Sequence, residues 1–153
     1  MAVSLSMATT PYRNESKTIL VVEDDATIRS IIRIVLERMG HVLLEAGDGA
    51  EGLTVSRNFS GRIDLVVSDV RMPKMDGPEM ISLLQTERRG IRVLFMSAYS
   101  TQSLPADLRE DFLPKPFLPA AIEKKVQEVF ARDPVFFEQA KSPTTERPVP
   151  GGD

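Results

Sequence analysis

Carboxylates follow two short apolar runs of this sequence, and they are the first candidates for chemistry. Glu23, Asp24 and Asp25 come directly after TILVV, and Asp69 comes directly after IDLVVS. Several carboxylates in one small concavity repel one another, and a hard divalent cation or a raised pKa relieves that repulsion. Because the chain has one histidine and no cysteine, an oxygen-only site is expected, and Mg²⁺ is the cation that such a site favours.

A hydroxyl and an ammonium group follow two further runs. Ser97 comes after IRVLFM, and Lys115 lies between Pro114 and Pro116 in FLPKPF. A point positive charge and a hydroxyl donor are suited to the oxygens of a tetrahedral oxyanion. With a cation and a central carboxylate beside them, they indicate nucleophilic capture of a phosphoryl group, and Asp69 is the expected nucleophile.

These side chains meet only if the elements between them are arranged suitably. Amphipathic helical patterns, such as that from Ile28 to Met39, alternate with runs typical of strands buried on both faces. The alternation predicts a doubly wound α/β fold, with a five-stranded parallel sheet and helices on both faces. Ligands of such sheets bind at the carboxyl ends of the strands. Asp69 directly follows the third predicted strand, Ile63–Ser68, and is expected near the centre of the sheet.

Composition divides the chain into three parts. Residues 1–16 are small and polar and are expected to form a disordered leader, and residues 17–132 form the domain. Residues 133–153 hold four of the 11 prolines and are expected to be a flexible tail. The net charge is −3, and there is neither a membrane-length apolar run nor a secretory signal. We expect a cytoplasmic protein that binds neither nucleic acid nor a membrane.

Four motifs in this order, VVEDD, SDVRMPKMDG, SAYS and FLPKPF, resemble the receiver domain of two-component response regulators of the stand-alone type. The resemblance covers about residues 17–132 and implies a flavodoxin-like fold with strand order 2-1-3-4-5. It implies Mg²⁺-dependent transfer of a phosphoryl group from a histidine kinase or phosphotransfer protein to Asp69. The chain would then switch conformation and signal through contact with a downstream protein. A monomer or weak homodimer is expected, which catalyses its own phosphorylation and dephosphorylation but is not an enzyme with an outside substrate.

The resemblance also assigns the metal site. It makes Glu23 and Asp24 the acidic pair, with Asp24 as the direct magnesium ligand of the two. Asp69 is implied to be both the phosphoacceptor and a ligand. The backbone carbonyl of Arg71 is implied to complete the site.

The same resemblance assigns the residues that respond to the phosphoryl group. Ser97 is implied to be the switch hydroxyl, and Lys115 to pair with the phosphoryl group. The peptide bond between Lys115 and Pro116 is expected to be cis. Phe112 matches the aromatic residue whose rotamer follows Ser97, and a plain core role for it stays open.

The sequence departs from the family between Ser97 and Lys115, which stand closer together than in most members. Pro105 also interrupts this segment, so a short or irregular fourth helix is expected there. Bulky Arg71 and Tyr99 flank the line along which water must attack an acyl phosphate, which predicts slow hydrolysis.

Other functions remain open at this point. One is a degenerate receiver that acts as a phosphorylation-independent interaction module. Another is a Mg²⁺-dependent aspartyl phosphohydrolase of the haloacid-dehalogenase type, but that type needs Asp-x-Asp where this chain has Glu-Asp-Asp-Ala. A flavin-binding protein of similar topology would need a phosphate-cradling loop at the same place. Purely structural roles are expected for Asp25 as a helix cap and for His41 and Asp64 as surface residues.

Overall fold

A computed structural model describes residues 15–98 and 111–132 of the chain. Most of the predicted leader, the predicted tail and the segment expected to hold a short fourth helix lie outside these described residues.

The described residues form five strands and four helices. The strands are β1 (Thr18–Val22), β2 (Val42–Ala46), β3 (Leu65–Asp69), β4 (Arg92–Ser97) and β5 (Phe112–Pro114). The helices are α1 (Ala26–Arg38), α2 (Gly49–Asn58), α3 (Gly77–Glu87) and α4 (Pro119–Ala131). All strand pairs are parallel, and the sheet order is β2-β1-β3-β4-β5, so the predicted fold class and strand order are confirmed.

The register of the sheet brings the ends of three strands to one level. Val22, the last residue of β1, pairs with Ser68 of β3, and Asp69 pairs with Met96 of β4. Strand β3 is central, and all five of its residues are buried. The loops that follow β1, β3 and β4 therefore leave the sheet side by side.

Two apolar clusters cover the two faces of the sheet. Leu20 and Val22 of β1 belong to the cluster shared with α2 and α3, whereas Ile19 and Val21 belong to the cluster shared with α1 and α4. These four side chains are fully buried, and burying one side chain of this size contributes about 1.5–3 kcal/mol. The alternation fixes which way each strand faces and so holds the register.

Aspartates begin three of the helices at the carboxyl edge of the sheet. Asp25, Asp48 and Asp76 are the N-caps of α1, α2 and α3, and each side chain accepts a hydrogen bond from a backbone N–H in the first turn. The cap role predicted for Asp25 agrees with this geometry. None of the helices in the described ranges is long and apolar enough to cross a membrane.

Two residues predicted to lie simply at the surface are partly buried and hydrogen-bonded instead. Asp64 accepts from the backbone N–H of Thr18 at 2.9 Å, and His41 Nδ1 accepts from that of Lys17 at 3.1 Å. The His41 ring also packs against Phe130, with 5.7 Å between ring centroids. The surface prediction is wrong because these side chains satisfy N–H groups at the beginning of β1.

Candidate functional site

Three carboxylates gather at the carboxyl ends of β1 and β3. Glu23, Asp24 and Asp69 each offer an oxygen, and these oxygens all lie within 4.8 Å of one another. Glu23 and Asp69 are buried, with 1% and 8% of their surface exposed, whereas Asp24 is exposed. The donor set consists of hard oxygens with one side open to solvent, which fits Mg²⁺.

The loop between β1 and α1 holds Glu23 from several sides. The backbone N–H of Glu23 donates to Ala46 O at 3.1 Å, and its Oε2 accepts from the backbone N–H of Asp25 at 3.0 Å. Arg29 Nη1 donates to the Glu23 carbonyl at 2.6 Å. Glu23 is therefore positioned before any ligand binds.

The loop between β3 and α3 passes very close to Asp69. Gly77 N donates to Val70 O at 2.8 Å, and a Cβ at position 77 would lie 2.2 Å from the carbonyl oxygen of Asp69. Ser68 Oγ also donates to that carbonyl, at 2.8 Å. Only glycine permits this approach, so Gly77 helps to set the position of Asp69.

Lys115 joins the two buried carboxylates. Its Nζ lies 2.8 Å from Glu23 Oε1 and 3.1 Å from Asp69 Oδ2. Its backbone N–H donates to Ser97 O at 2.9 Å, and its peptide bond to Pro116 is cis, as the family resemblance implies. The ammonium group thus reaches the carboxylates from the β5 side of the sheet.

Burial and charge set the protonation of this cluster. Burial raises the pKa of the Asp69 and Glu23 carboxyls, and the ammonium of Lys115 only partly offsets this effect. Burial alone would lower the pKa of Lys115, but its two carboxylate partners outweigh burial and raise it. Among the described residues, three carboxylates gather around one ammonium group, so the site attracts a further cation.

Ser97 and Arg71 lie on the same edge. Ser97 is buried at the end of β4, next to Met96, the residue that pairs with Asp69. Arg71 is exposed, two positions after Asp69. Tyr99, which the sequence places beside the line of water attack, lies outside the described residues.

Phe112 occupies the first position of β5, opposite Phe95 of β4. It is half-buried and packs against the cluster that α2 and α3 share with the sheet. This packing is a core contact, and a switch role for Phe112 stays a prediction.

Sequence reasoning missed one positioning residue and underestimated another. No motif of the sequence marks Arg29, although it contacts the acidic loop and its Nε lies 3.3 Å from Glu45 Oε1. Gly77 follows Asp76 in a pattern that predicts only a turn, although it also permits the close approach to Asp69. A cation in the first turn of α1, where a helix end favours acids, was the available signal for Arg29.

Comparison with known proteins identifies the family of this chain. The family model for the response regulator receiver domain matches residues 19–127. The sensor kinase CckA of Brucella abortus is 36% identical over 121 residues, covering 76% of this chain and 13% of that protein. The alkaline phosphatase synthesis transcriptional regulatory protein PhoP of Bacillus subtilis is 31% identical over 127 residues, covering 78% of this chain and 51% of that protein. The chain thus spans about an eighth of the first of these relatives and about half of the second.

A solved structure of similar fold comes from Borrelia burgdorferi. It is the complex of CheX and CheY with BeF3 and Mg²⁺. The matched chain is 27% identical, with a TM-score of 0.69, and the match covers 76% of this chain and 90% of that one.

Proposed function

The chain belongs to the response regulator receiver domain family, and from this premise we propose that it is a phosphorylation switch with Asp69 as the phosphoacceptor. The observation that carries the proposal is the contact of Lys115 Nζ with Asp69 Oδ2 at 3.1 Å, beside a cluster of three carboxylates. A nucleophile, a cation site and a fixed ammonium group are the parts that phosphoryl capture requires.

The proposed reaction begins with a phosphohistidine on a histidine kinase or phosphotransfer protein. A carboxylate oxygen of Asp69 forms a bond to phosphorus while the bond from phosphorus to the histidine nitrogen breaks. The nitrogen keeps the electron pair, and the product is an acyl phosphate on Asp69. Hydrolysis of that acyl phosphate by water returns the carboxylate and inorganic phosphate.

The chain's own residues account for the binding of the phosphoryl group. Glu23, Asp24, Asp69 and the carbonyl of Arg71 are the groups that would hold Mg²⁺, which when bound neutralises charge on phosphoryl oxygens. Lys115 already bridges Glu23 and Asp69, so its ammonium is positioned to donate to a phosphoryl oxygen.

Ser97 supplies the second donor in this proposal. It lies on the neighbouring strand at the level of Asp69, and its hydroxyl would bond to the phosphoryl group. The bond shifts a two-state equilibrium of the loops around the site, with a coupling of about 1–3 kcal/mol. We propose that the signal passes to a downstream protein by contact and that the chain acts in the cytoplasm, where it meets its phosphodonor.

Intact-mass spectrometry after incubation with a small-molecule phosphodonor tests this function. We expect one phosphoryl adduct with Mg²⁺ and none with EDTA. Asp69→Asn should abolish the adduct. The matched control is Asp76→Asn, because Asp76 caps α3 and asparagine caps equally well.

An adduct that persists in Asp69→Asn or in EDTA would contradict the proposal. So would a folded wild-type chain that takes up no phosphoryl group from either a small molecule or a phosphohistidine-bearing protein. That second result favours the interaction module that needs no phosphorylation.

A further inference from the structure

A basic groove lies at the amino ends of the strands, on the edge of the sheet opposite the carboxylates. Its volume is about 690 Å³. Within the part of the chain that the structure describes, six cationic side chains line it: Lys17, Arg62, Arg88, Arg89, Arg92 and Arg132. Two carboxylates, Asp64 and Glu87, line it with them in a chain whose net charge is −3. Two of the cations pair with carboxylates beside the groove, Lys17 with Glu15 and Arg132 with Asp111. The groove therefore carries a local excess of positive charge.

Both carboxylates of the groove are already engaged. Arg62 pairs with Asp64 at 3.0 Å. Glu87 pairs at 2.7 Å with Arg57, which does not line the groove. Each of these carboxylates is thus shared between its ion-pair partner and the neighbouring cations.

Three of the guanidinium groups have no carboxylate partner within residues 15–98 and 111–132. They are Arg88, Arg89 and Arg92. Arg88 donates to main-chain carbonyls between Ser56 and Gly61, and these neutral partners leave its charge in place. Arg92 donates to the carbonyl of Arg132 at 2.9 Å.

The cations crowd one another. Burial lowers the pKa of Arg92, and the neighbouring charges of Arg62 and Arg132 lower it further, while Asp64 and Asp111 act the other way. An anion in the groove would relieve this repulsion.

We propose that this groove binds a small anion that carries two or more phosphate groups. A volume near 690 Å³ falls in the range of about 300–1,000 Å³ that is usual for small-ligand pockets. Five of the six cations are arginines, whose planar guanidinium matches phosphate oxygens two at a time. A nucleoside polyphosphate and an inorganic polyphosphate share this chemistry.

The aromatic ring in the groove supports recognition by charge. Lys17 Nζ lies 5.5 Å and the Arg92 guanidinium carbon 5.7 Å from the centroid of Phe130. Because two cations already stand over this ring, a base does not need to stack on it. The phosphate groups are therefore the part of the ligand that the groove recognises.

The groove and the carboxylate site can be tested separately. A strand of five residues such as β3 spans about 17 Å, so a ligand in the groove does not reach Asp69. Without Mg²⁺ the carboxylates repel polyphosphates. Binding in the groove therefore does not depend on the proposed phosphorylation, and Asp69→Asn should leave it unchanged.

Isothermal titration of the full chain in EDTA buffer, first with inorganic tripolyphosphate and then with ATP, tests the proposal. We expect binding that weakens as ionic strength rises. The test variant carries Arg62→Gln and Arg89→Gln, two exposed residues whose replacement spares the core. Each lost charged hydrogen bond should weaken binding about tenfold.

A variant with Lys74→Gln and Lys124→Gln makes the same charge change away from the groove and should bind like wild type. Equal affinity for the two probes identifies the phosphate chain as sufficient, and tighter binding of ATP identifies a nucleotide; both support the proposal. It is overturned if neither probe binds at millimolar concentration or if the Arg62/Arg89 variant binds unchanged. It is also overturned if polyglutamate binds as tightly, since the groove would then fit an acidic peptide.

Discussion

At the carboxyl edge of the sheet, one lysine keeps two buried acids together. Lys115 contacts Glu23 and Asp69 in the same place where a divalent cation would contact them. The ammonium therefore weakens the binding of a cation, and it also stands where it can donate to phosphoryl oxygens. This double role follows from geometry that spacing in the sequence does not contain, because Lys115 and Glu23 are 92 residues apart.

Removal of this ammonium should have opposite effects on two measurements. In Lys115→Met we expect Mg²⁺ to bind about tenfold more tightly, because a like charge is lost near the cation. Phosphoryl uptake should fall by about 100-fold, because a fixed donor to the oxyanion is lost. Isothermal titration and intact-mass kinetics measure these effects, and Lys124→Met should change neither. A loss of both Mg²⁺ affinity and phosphoryl uptake in Lys115→Met would show that Lys115 acts only by stabilising the fold.

His41 gives a separate prediction about pH. Burial, aided by the charge of Lys17, lowers the pKa of His41 below its ordinary value of 6.5, while Asp64 acts the other way. Because the pKa of His41 is lower in the folded chain than in the unfolded chain, neutral His41 contributes to the free energy of unfolding. This contribution is fully present above pH 6.5 and is lost as pH falls through the pKa of the folded chain.

Urea unfolding at about pH 7.5 and about pH 5.5 measures this dependence. His41→Gln retains an acceptor for the N–H of Lys17 but does not titrate. The free energy of unfolding of the wild type should fall more between the two pH values than that of the variant. Equal losses in the free energy of unfolding of the two proteins would show that His41 does not contribute to the pH dependence of stability.

At the scale of elements, the sequence predicts the type and order of every described strand and helix, and errors occur at the ends. Strand β1 has the bounds of the apolar run TILVV that predicts it. The third strand was expected at Ile63–Ser68 but runs from Leu65 to Asp69. Ile63 is buried like a strand residue, but the backbone pairing of β3 begins only at Leu65. An apolar run predicts burial, and it does not show where strand pairing begins.

The approach of α3 to β3 could not be predicted from periodicity, and Gly77 tests it. In Gly77→Ala the new Cβ would meet the Asp69 carbonyl oxygen at 2.2 Å and Phe95 at 3.1 Å. We expect a loss of about 1–3 kcal/mol in the free energy of unfolding and weaker Mg²⁺ binding.

The matched control for this substitution is Gly47→Ala. Its Cβ would meet only flexible side-chain ends, the nearest at 3.3 Å. The free energy of unfolding of the control, measured in urea, should stay within about 0.5 kcal/mol of the wild-type value. Equal stability of the two variants would contradict the close approach.

At the scale of the whole molecule, the sheet places negative and positive side chains at opposite edges, and the net charge does not show this separation. A net charge of −3 argued against a binder of polyanions, yet carboxylates collect at one edge of the sheet and cations at the other. Parallel strands cause this separation, since the loops before them and after them lie at opposite edges. The carboxylate site was predictable because family motifs mark it, whereas the basic groove joins residues that share no motif.

Binding of Mg²⁺ to the folded chain alone should stabilise the whole molecule. At a concentration 100 times the dissociation constant, the gain in the free energy of unfolding is about 2.7 kcal/mol. Thermal unfolding with MgCl₂, against NaCl of matched ionic strength, measures the gain. Asp24→Asn should reduce it strongly at the same concentration. The same increase in that variant would place the cation elsewhere.

The central claim is that Asp69 receives the phosphoryl group, and chemical trapping tests it most directly. Borohydride reduces an aspartyl phosphate to homoserine with release of phosphate, and peptide mass spectrometry locates the change. After treatment with a phosphodonor and Mg²⁺, we predict homoserine at position 69 and at no other acidic position. Reduction at Glu23 or Asp24, or an intact Asp69 in a chain that carries a phosphoryl adduct, would contradict the account.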